Sequence, residues 1–149
     1  MDGTIADFYG VDNWLAYLLE EDTTPYEIAK PLLNMSLFAR YLNKLQKQGH
    51  EIGIISWGSK NSTEQFLNMV GCAKFYWLNK HLPSVTWDYI YIEHYGTNKY
   101  NRCGGGILFD DEQKNRETWL DEAYTPTQII DILKEYNKRA NSLVTIDPK

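Results

Sequence analysis

Asp2, Ser56, Lys99 and the pair Asp110-Asp111 each stand where an apolar run borders a polar stretch, and their types suit the handling of an anion. Asp2 opens the chain ahead of Gly3 and Thr4. Ser56 follows Gly53-Ile54-Ile55, Lys99 follows a Tyr/Ile-rich run that closes near His94, and Asp110-Asp111 follows Gly106-Ile107-Leu108-Phe109. In an open parallel sheet, ligands bind beyond the carboxyl ends of the strands, so such positions are the ones to read for function. Adjacent carboxylates repel unless a cation or solvent relieves them, which makes Asp110-Asp111 the most specific signal of the set. A phosphoryl group spreads negative charge over its outer oxygens, and its transfer is catalysed largely by positioning and electrostatic stabilisation. Carboxylates holding a hard metal ion, a hydroxyl and an ammonium group are suited to that work. Each residue also has an ordinary explanation. Asp-Gly is a common turn dipeptide, serine is a frequent strand-end hydroxyl, and a lysine in a polar loop is usually solvated. Lys60 and Lys80 are alternatives to Lys99.

Positioning these residues requires strands separated by helices. Val11, Trp14, Leu15, Leu18 and Leu19 recur at helical spacing, and Thr24-Pro25-Tyr26-Glu27 reads as a capping box with proline in the first turn, ended or kinked by Pro31. Met35, Phe38, Leu42 and Leu45 mark a third helix, stopped by Gly49. The apolar run between Glu51 and Trp57 predicts a strand buried on both faces. Asn61-Ser62-Thr63-Glu64 caps a helix that ends at Gly71, and a further helix through Phe75, Leu78 and Leu82 stops at Pro83. Tyr89-Ile90-Tyr91-Ile92 and Ile107-Leu108-Phe109 predict two more strands. Thr125-Pro126-Thr127-Gln128 caps a helix carrying Ile129, Ile132, Leu133 and Tyr136, and 143–146 reads as a last short strand. Strands alternating with helices predict an α/β fold with a mostly parallel sheet.

In its order of acid, hydroxyl, lysine and paired acids at strand ends, the chain resembles the haloacid-dehalogenase-like phosphatases over nearly its whole length. Met1-Asp2-Gly3-Thr4 is similar to the last part of their D-x-D-G-T signature, with Met1 in the spacer. Two helices between Asp7 and about Ser36 resemble the small helical cap of members acting on compact phosphomonoesters, which places a cap at 8–36 within one domain of 1–149. By cap size and the paired aspartates the chain is most similar to the 5'(3')-deoxyribonucleotidases and to phage-encoded proteins of this type.

The resemblance implies a Rossmann-like parallel sheet with helices on both faces and a magnesium-dependent phosphomonoester hydrolase, acting on a nucleotide or another small phosphometabolite. Asp2 would protonate the leaving oxygen and later activate water, and its backbone carbonyl would bind the metal with Asp110 and Asp111. Ser56, with the backbone N–H groups of Trp57 and Gly58, would hold phosphate oxygens, and Lys99 would pair with their charge. Thr4 belongs to the same motif, and Phe8, Tyr9 and Trp57 are the aromatic candidates for substrate contact, while Trp14 and Tyr17 suit the core of the cap. The nucleophilic aspartate of the signature would occupy the position before Met1, on the central strand of the sheet. Its absence predicts an N-terminally shortened chain that is inactive as given, with a short upstream segment ending in an aspartate belonging to the intact protein; the lesser alternative is that the tail from Leu143 to Asp147 fills the vacant strand. A catalytically inactive binding protein is the alternative, and a phosphatase of nucleic-acid ends a second.

Composition narrows these classes. With 149 residues the chain has the length of one domain. A hydrophobic fraction of 43%, with five Trp and eleven Tyr, is that of a packed protein rather than a disordered one. A net charge of −5 argues against a sequence-independent grip on nucleic acid. Cys72 and Cys103 offer no metal spacing or disulfide framework, and His50, His81 and His94 are scattered. With no apolar run of membrane-spanning length and no signal-peptide profile, a cytoplasmic setting is the expectation.

Overall fold

The computed structural model describes the backbone of residues 1–146 and the side chains of residues 1–139. The fold is mixed α/β. Strand β1 (Ala6–Asp7) pairs antiparallel with β2 (Lys30–Pro31), and between them lie a 3-10 turn (Phe8–Gly10), α1 (Trp14–Leu19) and α2 (Thr24–Ile28). Then follow α3 (Met35–Lys47), β3 (Gly53–Trp57), α4 (Glu64–His81), β4 (Tyr89–Glu93), α5 (Lys99–Cys103), β5 (Leu108–Phe109), α6 (Gln113–Thr118), β6 (Ala123–Tyr124) and α7 (Ile129–Ile146). Two parallel pairs organise the strands: β3 with β4, Gly53 opposite Tyr89, and β5 with β6, Leu108 opposite Ala123. Each pair is joined by a helix, α4 or α6, as parallel strands require a crossover. Among the described residues, β3 and β5 each carry a strand partner on one edge only.

Local chemistry accounts for the helix starts. Asn34 Oδ1 accepts the Leu37 N–H at 2.9 Å to open α3, and Thr63 Oγ1 accepts that of Phe66 at 3.1 Å to open α4. Thr125 and Gln128 form the expected capping box ahead of α7, with Gln128 Oε1 taking the Thr125 N–H at 2.9 Å. The box expected at Thr24 does not form. Asp22 Oδ1 instead accepts both the N–H and the hydroxyl of Thr24, at 2.9 and 2.6 Å, while Glu27 accepts from Thr23.

Two helices expected on either side of Gly71 are one, because α4 runs unbroken through it. A Cβ at Gly71 would lie 3.4 Å from Ile92 Cγ1, so the glycine marks a close approach of α4 to β4 rather than a stop. The backbone of 143–146 continues α7, which corrects the strand expected there, and Asp147 lies outside the described residues. The run at 53–57 is half-buried in alternation, with Ile54 and Ser56 inward, rather than buried on both faces.

The main core gathers Trp77 and Leu78 from α4 and Leu82 just beyond it with Ile5, Ile54, Phe38, Leu42 and Ile129. The Trp77 indole N–H donates to the Ala29 carbonyl at 2.7 Å, tying α4 to the segment after α2. A second cluster joins Phe8 and Tyr26, ring centroids 4.6 Å apart, to Phe66, Val70 and Ala73 of α4, with Trp14 packed against it. The inserted helices thus lie on α4 through aromatic contacts. No helix among the described residues is long and apolar enough to cross a membrane.

Candidate functional site

The carboxyl end of β3, the start of the chain and the middle of α4 meet at one ammonium group. Lys74 is wholly buried on the inner stripe of α4. Its Nζ donates to Asp2 Oδ2 at 2.9 Å and to Ser56 Oγ at 2.5 Å, and lies 3.5 Å from the Trp57 carbonyl. Burial pushes the Lys74 ammonium below its ordinary value, and the Asp2 charge partly restores it. A buried lysine is costly unless paired, so this contact explains why the helix tolerates it.

A second buried lysine stands at the end of β5. Lys99, the first residue of α5, is 6% exposed and places Nζ 2.7 Å from Asp110 Oδ2. Asp110 also accepts from the Glu112 N–H at 2.9 Å and the Asn115 amide at 3.3 Å, and its backbone carbonyl accepts from Arg116 at 2.9 Å. Burial works to raise the Asp110 carboxyl, but the Lys99 charge and hydrogen bond, the Glu112 N–H and the Met1 amine outweigh it and hold the group below the ordinary carboxylate value. Lys60 and Lys80, the alternatives, are exposed, with Lys60 over the Tyr95 ring.

Asp111 turns outward at the surface, where partial desolvation and the neighbouring Asp110 charge raise its carboxyl. Thr4 donates its hydroxyl to Asp111 Oδ1 at 3.2 Å. A Cβ at Gly3, whose φ is +71°, would stand 2.3 Å from Asp111 Oδ2, so only glycine admits that carboxylate here. The Met1 amine is buried between the two lysines and is pushed down to about 5, first by burial and then by Lys99, with Asp2 and Asp110 acting against the shift.

Of the aromatic candidates, Phe8 is 3% exposed inside the second core cluster, whereas Tyr9 is half exposed and packs edge-on against Phe8 and Trp14. Trp57 donates its indole N–H to the Thr97 carbonyl at 2.9 Å, packs on Tyr95 and lies 5.3 Å from Lys99 Nζ. Gly58 departs from its expected role. Its N–H donates to the Glu93 carbonyl at 2.8 Å, so it is engaged, and a Cβ there would strike Leu67 at 2.3 Å. Trp14 and Tyr17 are half-buried.

Among the described residues, no group of three His, Cys, Asp or Glu side chains is placed to hold a metal ion. The charges nevertheless suit a hard cation. Lys74 and Lys99 are balanced by Asp2 and Asp110, and Asp111 adds an uncompensated carboxylate beside them. A cluster so balanced has no positive charge to spare for a phosphate unless a cation brings it. Asp110 and Asp111 provide hard oxygen donors for one.

Lys74, Asn115 and Arg116 were not singled out from the sequence. The signal for Lys74 was available, since it falls on the same helical stripe as Val70, Trp77 and Leu78, but only to a reader who let the helix continue past Gly71. A shallow depression of ≈ 640 Å³ along α3, lined by Arg40, Lys44, Lys47 and His81, lies apart from this cluster. Compared with known proteins, no family model, curated protein or solved structure matches the chain.

Proposed function

We propose that the chain is the body of a magnesium-dependent phosphomonoester hydrolase of the haloacid-dehalogenase-like kind, acting on a nucleotide or another small phosphorylated metabolite. The observation that carries this reading is the pair of buried lysines, Lys74 and Lys99, each held by a carboxylate at the carboxyl end of a parallel strand pair. Burying two ammonium groups costs several kcal/mol each before pairing, an expense that fits an anion site better than a passive core. In this reading the two strand pairs are halves of one Rossmann-like sheet, and helices α1 and α2 form the cap.

Ser56 and Lys99 bind and orient the phosphoryl oxygens, the hydroxyl by hydrogen bonding and the ammonium by charge. Lys74 holds Asp2 in place, and Asp2 gives a proton to the leaving oxygen and later takes one from the attacking water. Asp110 and Asp111, with the Asp2 backbone carbonyl, would hold magnesium, which supplies the positive charge that the balanced lysines lack. Trp57 and the exposed Tyr9 offer faces to a base or sugar. In this reading no carboxylate of the described residues is assigned the attack on phosphorus. The chain as given is therefore expected to show no magnesium-dependent turnover of an aryl phosphate.

Thermal denaturation with inorganic phosphate and magnesium tests the site itself. Both together are expected to raise Tm, with the effect lost in Lys99→Met. An unchanged Tm at saturating concentrations of both removes the reading, and turnover by the chain as given shows that the nucleophile is misassigned. The second reading, a phosphate-binding protein without catalysis, is favoured by the full pairing of both lysines with carboxylates.

A further inference from the structure

Charge is segregated along the chain. Residues 1–29 carry no Lys or Arg, and residues 30–50 carry no Asp or Glu. The fold turns this into two separate surfaces. The basic one is the depression of ≈ 640 Å³ beside α3, where Met35, Ala39 and Pro83 give an apolar lining and Arg40, Lys44 and Lys47 form a cationic rim along the helix. It is preformed. The Asn43 amide donates to Ser84 Oγ at 3.0 Å and the Gln46 amide to the Thr86 carbonyl, and together they tie α3 to the opposite wall. None of the three rim cations forms an ion pair among the described residues. The acidic surface is the outer face of α1. Trp14 and Leu18 pack inward on the second core cluster, whereas Leu15 and Leu19 are 54% and 79% exposed. Asp12 and Glu20, both exposed, flank those leucines in the chain.

We infer that the groove beside α3 receives α1 of a second copy of this chain, head to tail. The two surfaces match in chemistry. Leu15 and Leu19 leave water against Met35, Ala39 and Pro83, since an exposed i, i+4 pair is the anchor by which an amphipathic helix enters a groove. Asp12 and Glu20 meet the rim cations. They match in length as well: at helical rise the eight positions from Asp12 to Glu20 span about 12 Å, and the seven from Arg40 to Lys47 about 10 Å. One molecule cannot make this contact with itself. Helix α1 lies over the start of α4, at Phe66, whereas His81 at the end of α4 lines the groove, about 22 Å further along that helix. A nucleic acid, the other occupant such cations could take, meets repulsion from a chain of net charge −5 and leaves the exposed leucines without a role. The contact is heterologous, so its rotation either closes a ring or continues as a filament. It stands independently of the hydrolase reading and engages none of the residues placed in that site.

Sedimentation equilibrium of the whole chain tests the contact. The average mass is expected to rise with protein concentration between about 10 and 500 µM at about 20 mM salt, and to return to that of the monomer at about 0.5 M salt, where exposed charges are screened. Two charge-swap variants are decisive. Asp12→Lys with Glu20→Lys, and Arg40→Glu with Lys47→Glu, are each expected to be monomeric alone, and an equimolar mixture of the two is expected to associate again. Both variants remain net negative, so overall charge cannot produce that recovery. Leu19→Ser leaves every charge in place and is expected to weaken association about tenfold with Tm unchanged. A chain that stays monomeric throughout the concentration range overturns the proposal. So does association untouched by either swap and by Leu19→Ser, or a mixture of the swaps that stays monomeric. Retention of a short single-stranded oligonucleotide by a monomeric chain, lost in Arg40→Glu with Lys47→Glu, assigns the groove to a polyanion instead.

Discussion

The Lys74 ammonium lies 2.9 Å from the Asp2 carboxylate, 72 positions away in the chain, and the same ammonium touches Ser56 at the end of β3. One side chain in the middle of a long helix thus joins the start of the chain to the first parallel pair. Lys99 and Asp110 repeat the arrangement at the second pair, at 2.7 Å. Each contact puts a charge where a strand ends, which is where an α/β sheet presents its ligands.

Lys74→Met leaves the half-buried Asp2 without its cation, and its stability loss is expected at about 3 kcal/mol, the low end for breaking a buried pair because Asp2 retains some solvent. Adding Asp2→Asn to the same chain removes the stranded charge and is expected to recover most of that loss. Urea denaturation of the two single variants and the double variant reads the coupling directly. Simple additivity of the two losses counts against a direct pairing.

At the second pair both partners are almost fully buried, so the expectation is larger. Lys99→Met is expected to cost about 3–5 kcal/mol, leaving Asp110 with the Asn115 amide and the Glu112 N–H. Lys99→Arg is expected to be destabilising as well, since a planar fork does not replace a compact ammonium in a closed space. A shift in urea midpoint equivalent to less than about 1 kcal/mol for Lys99→Met is the magnitude of an exposed pair and sinks the assignment.

Asp110 and the Met1 amine give the pH dependence of stability two windows of the same sign, and Asp111, raised above its ordinary 3.8, opposes them just above that value, where the folded chain holds a proton that the unfolded chain releases. Asp110 is held below its ordinary value of 3.8, so the stability it contributes is present above that value and is lost as pH falls through the depressed folded value. The Met1 amine is pushed from 8.0 to about 5, so between those values the unfolded chain binds a proton that the folded chain refuses, and stability rises with pH. His81, lowered by burial and by Lys80, adds in the same sense. Urea midpoints measured from pH 3 to 9 are expected to rise across both windows, and acetylation of the Met1 amine is expected to flatten the upper one in excess of the His81 contribution. An identical slope before and after acetylation contradicts the buried amine.

Gly71→Ala discriminates one helix from two. In a continuous α4 the new methyl meets Ile92 at ordinary contact distance, and helix propensity favours alanine by up to about 1 kcal/mol. The variant is therefore expected to be as stable as the parent or more so. Had the helix stopped at Gly71 in the left-handed conformation, alanine there would be strained, and a clear loss of Tm identifies that case.

Much of the fold was readable because it is locally encoded. The stripe Phe38, Leu42 and Leu45 places α3, Thr63 and Thr125 start α4 and α7 by their hydroxyls, and the runs at 53–57, 89–93 and 108–109 appear as strands. Elements without a local signature escaped. The polar stretch Gln113–Thr118 has no apolar period, and Ala123–Tyr124 is too short to alternate. Gly71 reads as a stop because a glycine's weak helix propensity is visible in sequence, whereas the packing of α4 against Ile92 of β4 is not. The same misreading hid Lys74. At the end of the chain, the apolar residues 143–146 suit a strand or a helix equally, and continuation of α7 decided between them.

By itself, then, the sequence determined which residues lie on helical stripes, where the strands run and which polar types stand at their ends, because those properties depend on neighbours within a few positions. Only the tertiary structure decided that Lys74 rather than a loop lysine serves Asp2, that Gly58 spends its N–H on Glu93, and that Ile54 of β3 and Leu108 of β5 line one cavity. Such contacts join segments far apart in the chain. Their partners are chosen by the packing of whole elements, on which local pattern is silent.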